Sequence, residues 1–136
     1  MKTYSIVIVD NDEDELLFMK EAFDATDLFD VMAQFESGDE LLRWLNGPPS
    51  SLPELILSDL NMPGKNGYDI IREVTTNAQL AHIPVIIAST SSTKTIRDKC
   101  IALGASQYVV KPFSFIEYGP FIKNLYQLIE AKQLLS

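Results

Sequence analysis

The chain has 136 residues, of which 46% are hydrophobic and 22% charged, and its formal net charge is -8 at pH 7. This length suits one domain with a single core, so we expect one domain over residues 1–136. No apolar run approaches the roughly 20 residues that span a bilayer, and no stripe of lysine and arginine offsets the negative charge. Membrane insertion and direct nucleic-acid binding are therefore not expected.

The amino terminus and the cysteine content both indicate a reducing compartment. The apolar run from Ile6 to Val9 is followed at once by acidic residues, so it is too short for a secretory signal peptide. Cys100 is the one cysteine, which excludes an internal disulfide and a multi-cysteine zinc site. We expect a cytoplasmic protein whose partners are proteins or cations.

Apolar segments of strand length alternate with amphipathic segments of helix length along the whole chain, which predicts a parallel α/β sheet. The predicted strands are 4–9, 29–35, 55–58, 84–88 and 108–110. The second strand alternates between apolar and polar residues, as is typical of a sheet edge. Right-handed crossovers then favour a flavodoxin-like, doubly wound, five-stranded parallel sheet in the order 2-1-3-4-5 with five helices.

Local signals predict where the helices begin and end. Three capping boxes are predicted, at Asp12 with Glu15, at Ser37 with Glu40 and at Ser114 with Glu117. Gly47-Pro48 predicts the end of the second helix and Gly104 that of the fourth. Because Gly119-Pro120 falls inside the last helical segment, we expect a kink or a delayed start there, with the regular helix over about 120–134.

Polar residues follow four of the predicted strands at the point where each ends. They are Asp10 with Asn11 and Asp12, then Asp59, then Ser89 with Thr90, and then Lys111. In such a sheet these ends meet at one edge, where ligands bind near the switch point. Clustered carboxylates either raise a pKa or bind a cation, and oxygen ligands suit Mg²⁺ or Mn²⁺. A lysine and a hydroxyl opposite them favour a phosphoryl ligand, with Asp59 as the attacking carboxylate.

These segments together resemble the response-regulator receiver domain of two-component signalling, and the resemblance covers essentially the whole chain. It rests on Ile6 to Asp10, on Ser58 to Pro63 leading to Gly67, on Pro84 to Ser89 and on Gly104 to Phe113. Ser89 lies 30 positions beyond Asp59 (89 minus 59), and Lys111 lies 22 beyond Ser89 (111 minus 89). The resemblance implies a stand-alone, single-domain receiver without an output domain.

The resemblance also implies the chemistry of the site. Asp59 is expected to accept a phosphoryl group from a sensor histidine kinase or a histidine phosphotransfer protein. Mg²⁺ or Mn²⁺ would be held by Asp10, Asn11, Asp59 and the backbone carbonyl of Asn61. Lys111 would contact the phosphoryl oxygens. We expect no enzymatic turnover beyond self-phosphorylation from small donors and self-dephosphorylation.

The conformational response is implied by the same resemblance. Ser89 would contact the phosphoryl group and act with Tyr108 as the switch, the tyrosine ring turning inward after phosphorylation. This would change the surface formed by the fourth helix, the fifth strand and the fifth helix, which a protein partner would recognise. The bond between Lys111 and Pro112 is expected to be cis, against a base rate of about 5–6%.

Two residues depart from the family pattern. Asn11 stands where the family usually has a second acid, so we expect weaker metal binding than in a relative with two acids. Thr90 stands where the family often has a smaller residue. Its bulk beside Asp59 is expected to restrict water and to slow hydrolysis of the acyl phosphate.

Two other function classes stay open. Asp10-Asn11-Asp12 after a strand also resembles the first motif of haloacid-dehalogenase-like phosphatases, in which Asp10 would be the nucleophile, although Asp14 and Asp59 do not fit that pattern. A receiver-like module that works without phosphorylation is the other alternative, which Asn11 favours. A flavin binder is disfavoured, because the carboxylates over 10–15 would repel a flavin phosphate.

Overall fold

The structure is a computed structural model that describes residues 2–47, 49–132 and 134. Its elements are β1 (Tyr4–Val9), α1 (Glu13–Thr26), β2 (Phe29–Phe35), α2 (Gly38–Asn46), β3 (Leu55–Ser58), α3 (Gly67–Thr75), β4 (Val85–Ser89), α4 (Lys94–Leu103), β5 (Gln107–Val110), a 3₁₀ turn (Phe115–Glu117) and α5 (Tyr118–Lys132). The strands pair in parallel in the order β2-β1-β3-β4-β5, which confirms the predicted topology. None of the helices in these residues has the length and apolarity needed to cross a membrane.

Two hydrophobic cores lie on opposite faces of the sheet, because successive side chains of a strand point to opposite sides. In β1, Ile6 and Ile8 pack with α1 and α5 on one face, while Val7 and Val9 pack with α2, α3 and α4 on the other. All four of these side chains are fully buried. The centre of the sheet is therefore covered on both sides, as its nearly unbroken apolar sequence requires.

The start of α1 forms only half of the predicted capping box. The side chain of Asp12 accepts hydrogen bonds from the backbone N–H groups of Asp14 at 2.9 Å and Glu15 at 3.3 Å. The backbone N–H of Asp12, however, donates to Oδ1 of Asp10 at 3.0 Å. Glu15 is therefore not needed as the return acceptor, and its carboxylate has a different partner.

The predicted capping box of α2 is also only half formed, whereas a complete box that was not predicted starts α3. Ser37 caps α2 by accepting from Glu40 N at 3.1 Å, but the Glu40 carboxylate accepts from Glu36 N at 3.0 Å. The one reciprocal capping box at a described helix start is at α3, where Asn66 and Asp69 accept from each other's backbone at 3.1 and 3.0 Å. Sequence reasoning missed it, although Asn-x-x-Asp is a recognisable signal.

The predicted ends of α2 and α4 are found, whereas the predicted cap at Ser114 is not. Gly104 ends α4 with a left-handed φ of 118°, as predicted. Gly47 caps the end of α2, while Pro48 lies outside the described residues. Ahead of α5, Ser114 donates its hydroxyl to Glu117 at 2.9 Å instead of capping the backbone. The helix begins at Tyr118, so Pro120 falls in the first turn, where a missing N–H costs little.

Candidate functional site

The carboxyl ends of β1, β3 and β5 bring Asp10, Asp59 and Lys111 to one cleft of about 390 Å³, which Asn11 and Thr90 also line. The backbone continues the strand pairing one residue beyond the strands. Asp59 N donates to Val9 O at 2.8 Å, and Lys111 N donates to Ser89 O at 2.8 Å. The sheet therefore fixes the main chain of both residues, and their side chains project from a rigid edge.

Lys111 lies between the two carboxylates. Its Nζ is 2.6 Å from Oδ2 of Asp10 and 3.4 Å from Oδ1 of Asp59. The side chains of Lys111 and Asp10 are 9% and 2% exposed, and that of Asp59 is 15% exposed. An ammonium this buried is stable only beside such partners, because an unpaired buried charge is costly.

The electrostatic environment raises the pKa of both Asp59 and Lys111. Burial raises the pKa of the Asp59 carboxyl, and the Asp10 charge adds to this increase, while Lys111 opposes it. Burial alone lowers the pKa of the Lys111 ammonium, but the hydrogen bond to Asp10 and the charges of Asp10, Asp59 and Glu15 outweigh it and raise this pKa above its ordinary value. The lysine is therefore charged at neutral pH and offsets part of the negative charge of the cleft.

The two aspartates differ in their availability for attack on an electrophile. Oδ1 of Asp10 accepts from Asp12 N at 3.0 Å, and its Oδ2 pairs with Lys111, so both oxygens are engaged. At Asp59 the contacts from Leu60 N, at 2.9 Å, and from Lys111 both fall on Oδ1. Asp59 is also the more exposed carboxylate. This geometry suits Asp59 better than Asp10 as a nucleophile, which disfavours the phosphatase alternative.

Ser89 and Tyr108 lie behind the cleft and are linked through Ser91. The Ser89 hydroxyl, in a residue 2% exposed, accepts from Ser91 N at 3.2 Å. The Tyr108 ring, in a residue 6% exposed, donates its hydroxyl to the Ser91 carbonyl at 2.6 Å. The tyrosine is already inward in this conformation. Any rotation would therefore take place between this buried position and an exposed one.

The side chains at the cleft fit a hard divalent cation. Asp10, Asp59 and Asn11 supply carboxylate and amide oxygens, the ligands that Mg²⁺ and Mn²⁺ prefer. Among the described residues, no three His, Cys, Asp or Glu side chains lie together in a way that could hold a metal. A cation here would rely on two carboxylates, neutral ligands and water. Asn61 is exposed in the loop that follows Asp59.

The predicted cis bond before Pro112 is wrong, because the Lys111–Pro112 peptide bond is trans. The trans form is favoured by about 0.5–1 kcal/mol before proline. Lys111 reaches both Asp10 and Asp59 while it is followed by a trans bond. The geometry of the site therefore does not require the cis isomer.

Sequence reasoning did not place Glu15 in the cleft, because this residue was assigned to the capping box of α1. Its side chain lines the cleft beside Asp59, and it accepts a hydrogen bond from the hydroxyl of Tyr118. Burial raises the pKa of the Glu15 carboxyl, while Lys111 lowers it and the charges of Asp10, Asp12 and Asp59 raise it further. The partner is 103 residues away, so no local signal in the sequence identifies it.

Comparison with known proteins gives one consistent family. A family model described as the response regulator receiver domain matches residues 6–118. The two-component response regulator ORR12 of Oryza sativa subsp. japonica is 40% identical over 63 residues, which cover 46% of this chain and 52% of that protein. ORR8 of Oryza sativa subsp. indica is 36% identical over 72 residues, covering 53% of this chain and 60% of that protein. The chain thus spans little more than half the length of these relatives.

Solved structures agree on the fold. The phosphorylated cyanobacterial phytochrome response regulator RcpA superposes with a TM-score of 0.80 at 24% identity, covering 93% of each chain. The Mn²⁺-bound form of the response regulator Rcp1 superposes with a TM-score of 0.72 at 22% identity, covering 98% of this chain and 96% of that one. At these identities the likeness concerns the fold, and it confirms the predicted fold class.

Proposed function

The chain belongs to the response regulator receiver domain family, and on that premise we propose that it is a signalling switch that accepts a phosphoryl group on Asp59. The observation that carries this proposal is the position of Asp59. Its side chain lies at the end of a central strand, is partly exposed to the cleft, and has Lys111 3.4 Å from one oxygen. The family relation supports a sensor histidine kinase or a histidine phosphotransfer protein as the donor.

The reaction needs positioning and charge compensation more than bond-making chemistry from the protein. The Asp59 carboxylate attacks the phosphorus of a phosphohistidine, a P–O bond forms, and the P–N bond to the donor imidazole breaks. Lys111 moves from Asp10 toward the phosphoryl oxygens, where its charge is needed. This movement also frees an oxygen of Asp10.

A divalent cation, when bound, supplies further neutralisation of the phosphoryl oxygens. Asp10, Asn11, Asp59 and the backbone carbonyl of Asn61 are the groups that would hold Mg²⁺ or Mn²⁺. The chemistry of these oxygen ligands supports this assignment, as does the Mn²⁺-bound form of the structural neighbour Rcp1. The neutral amide of Asn11 makes the site weaker than one with two adjacent acids.

The output surface is proposed to be α4, β5 and α5. The Ser89 carbonyl accepts from Lys111 N of the cleft, and Ser89 is linked to Tyr108 through Ser91, so a change at Lys111 has a short path to this side of the sheet. An apolar groove of about 330 Å³ between β5 and α5, lined in part by Val110 and Phe121, supports a protein partner at this surface. Val110 is 41% exposed, so its side chain is available to a partner in this groove.

We also infer a slow loss of the phosphoryl group. Thr90 lines the cleft beside Asp59, so its side chain restricts the approach of water to the phosphorus. Replacement of Thr90 by Ala should accelerate hydrolysis of the acyl phosphate. An unchanged rate of dephosphorylation would contradict this role.

The composition and the family also support a location, a class of partner and the lack of enzymatic turnover. The free and buried thiol of Cys100 supports a reducing, cytoplasmic location. The net charge of -8 supports proteins rather than nucleic acid as direct partners. We infer a single receiver domain over residues 1–136 that is not an enzyme, apart from self-phosphorylation with small donors and self-dephosphorylation.

The proposed function is tested by incubation with acetyl phosphate and Mg²⁺, followed by mass spectrometry of the intact chain and its peptides. We expect one phosphoryl group on Asp59, and none in the Asp59→Asn variant. Modification of Asp10 instead would support the phosphatase alternative. The absence of any modification would support a module that works without phosphorylation.

A further inference from the structure

Glu15 has a partner that the receiver chemistry leaves unexplained. It lies in the first turn of α1, but the capping role that its position suggests is taken by Asp10, which accepts from Asp12 N. The Glu15 carboxylate instead accepts a hydrogen bond from the hydroxyl of Tyr118. Because Glu15 also lines the cleft of Asp59, this bond joins the phosphoacceptor cleft directly to α5.

Tyr118 is placed to transmit a change at Glu15. It is the first residue of α5 and is 3% exposed, and its ring packs edge-on against Phe121 with centroids 5.8 Å apart. The 3₁₀ turn immediately before it carries Phe115, which is 51% exposed and contacts Phe18 of α1 edge-on at 5.5 Å. A shift of the Tyr118 hydroxyl would therefore move the junction between the 3₁₀ turn and α5, which carries the exposed ring of Phe115.

The charge of Glu15 depends on the same groups that would respond to phosphorylation. Lys111 favours the ionised form of Glu15, whereas Asp10, Asp12 and Asp59 oppose it. At constant Mg²⁺, a phosphoryl group on Asp59 places about 1.5 to 2 negative charges where a carboxylate had one. It also draws Lys111 toward its own oxygens. Both effects weaken the electrostatic support for an ionised Glu15.

We propose that Glu15 senses the phosphoryl group on Asp59 and passes the change to the start of α5 through Tyr118. This inference rests on the proposed function and adds a second path, on the α1–α5 side of the sheet, to the one through Ser89 and Tyr108. Glu15 is a positioning residue in this scheme. Its hydrogen bond to Tyr118 holds the first turn of α5 in the unphosphorylated position and weakens when Asp59 is phosphorylated.

The test uses beryllofluoride, a mimic of the phosphoryl group, at a constant saturating Mg²⁺ concentration. Tyrosines labelled with ¹³C at Cζ report the hydrogen bonds of their hydroxyls by NMR, and the Tyr118→Phe variant assigns the signal of Tyr118. We expect beryllofluoride to move this signal in the natural chain toward its position in the Glu15→Gln variant. In the Asp14→Asn variant, which removes an exposed charge from the same turn, the signal should still respond.

Binding gives a second readout, because coupling between two sites is reciprocal. Removal of the Glu15 charge should tighten beryllofluoride binding by about fivefold, a typical coupling factor, and more than Asp14→Asn does. A Tyr118 signal that stays still at saturation would overturn the inference, as would weaker binding by Glu15→Gln. If beryllofluoride does not bind Asp59 at all, the proposed function fails and the inference fails with it.

Discussion

The two helices on one face of the sheet are held much more firmly than α4 on the other. α1 buries four side chains and α5 buries five, whereas α4 buries only Cys100. The first turn of α1 is capped by Asp12, while Thr93 at the start of α4 makes no side-chain capping hydrogen bond. Local stability follows buried apolar contact, so α4 is the element that can rearrange at the lowest cost in free energy.

This difference bears on which side of the sheet the proposed switch would move. The cleft is built on the rigid strand ends, and Lys111 ties the edge strand β5 to Asp10 at the end of the inner strand β1. The Ser91 loop, which links Ser89 and Tyr108, leads directly into α4. We therefore expect a change of charge in the cleft to act mainly on α4, while the buried turns of α1 and of α5 beyond its first turn preserve the fold.

The largest effect is expected at the ion pair that ties β5 to the sheet. The Lys111→Ala variant leaves Asp10 and Asp59 buried without their cation, which should lower the free energy of unfolding by about 3–5 kcal/mol. Urea denaturation in the presence of a chelator measures it. In the control Lys94→Ala, an 85% exposed lysine loses its pair with Asp98, at a cost of less than about 1 kcal/mol. Equal losses in the two variants would contradict the structural role of Lys111.

A second pair of variants tests the two helices directly. Ile122 of α5 is fully buried, so Ile122→Ala should cost about 2–5 kcal/mol of unfolding free energy. Ile96 of α4 is only partly buried, and Ile96→Ala should cost about 1 kcal/mol. Urea denaturation of both variants gives the comparison. If Ile96→Ala were as costly as Ile122→Ala, α4 would not be the weaker element.

The next largest effect is expected on the affinity for Mg²⁺, at Asn11 in the loop after β1. Asn11→Asp adds a charged ligand beside Asp10 and should tighten Mg²⁺ binding by about tenfold, or ~1.4 kcal/mol. Calorimetric titration measures this affinity. The control Asn77→Asp adds the same charge outside the cleft and should change it little. An Asn11→Asp variant that binds Mg²⁺ no more tightly than the natural chain would exclude Asn11 from the metal site.

The smallest effect is a pH dependence. Burial raises the pKa of Asp59 in the folded chain, so its ionisation costs stability as the pH rises through that value. The Asp59→Asn variant should therefore match the natural chain at a pH below the unfolded carboxyl pKa of about 3.9 and be more stable at pH 7. Unfolding by urea at both pH values measures the difference. If Asp59→Asn were less stable than the natural chain at pH 7, ionised Asp59 would stabilise the fold, contrary to this prediction.

Most of the fold and part of the site could be predicted from the sequence. The strands, the sheet order and the left-handed Gly104 depend on local sequence patterns and on general rules for the connections between strands. They can therefore be predicted from the sequence. Asp59 and Lys111 were predicted to meet because both follow strands of one parallel sheet, and they do. These successes share one property, which is that the backbone alone decides the outcome.

The failures concern side chains with a choice of partners. The Glu15 carboxylate was expected to accept a hydrogen bond from Asp12 N. Asp10 accepts that bond instead, and Glu15 accepts from the hydroxyl of Tyr118, which is distant in sequence. The hydrogen bond from the Tyr108 hydroxyl to the Ser91 carbonyl is likewise not visible in the local sequence, and the inward turn of Tyr108 after phosphorylation stays a prediction. Such choices depend on tertiary distances that local sequence does not encode. They also fall at the cleft and beside the residues of the proposed switch.

Hydrogen exchange, followed amide by amide at saturating Mg²⁺ with and without beryllofluoride, tests the central claim most directly. We expect a phosphoryl group on Asp59 to act mainly on α4, the weakly held helix, and to affect α5 no further than its first turn. We predict exchange rates that change by about tenfold or more over residues 89–103, with little change over 122–129, since local openings of α4 have the lower free energy. A uniform change across both segments, or no change in α4 while Asp59 is fully occupied, would contradict it.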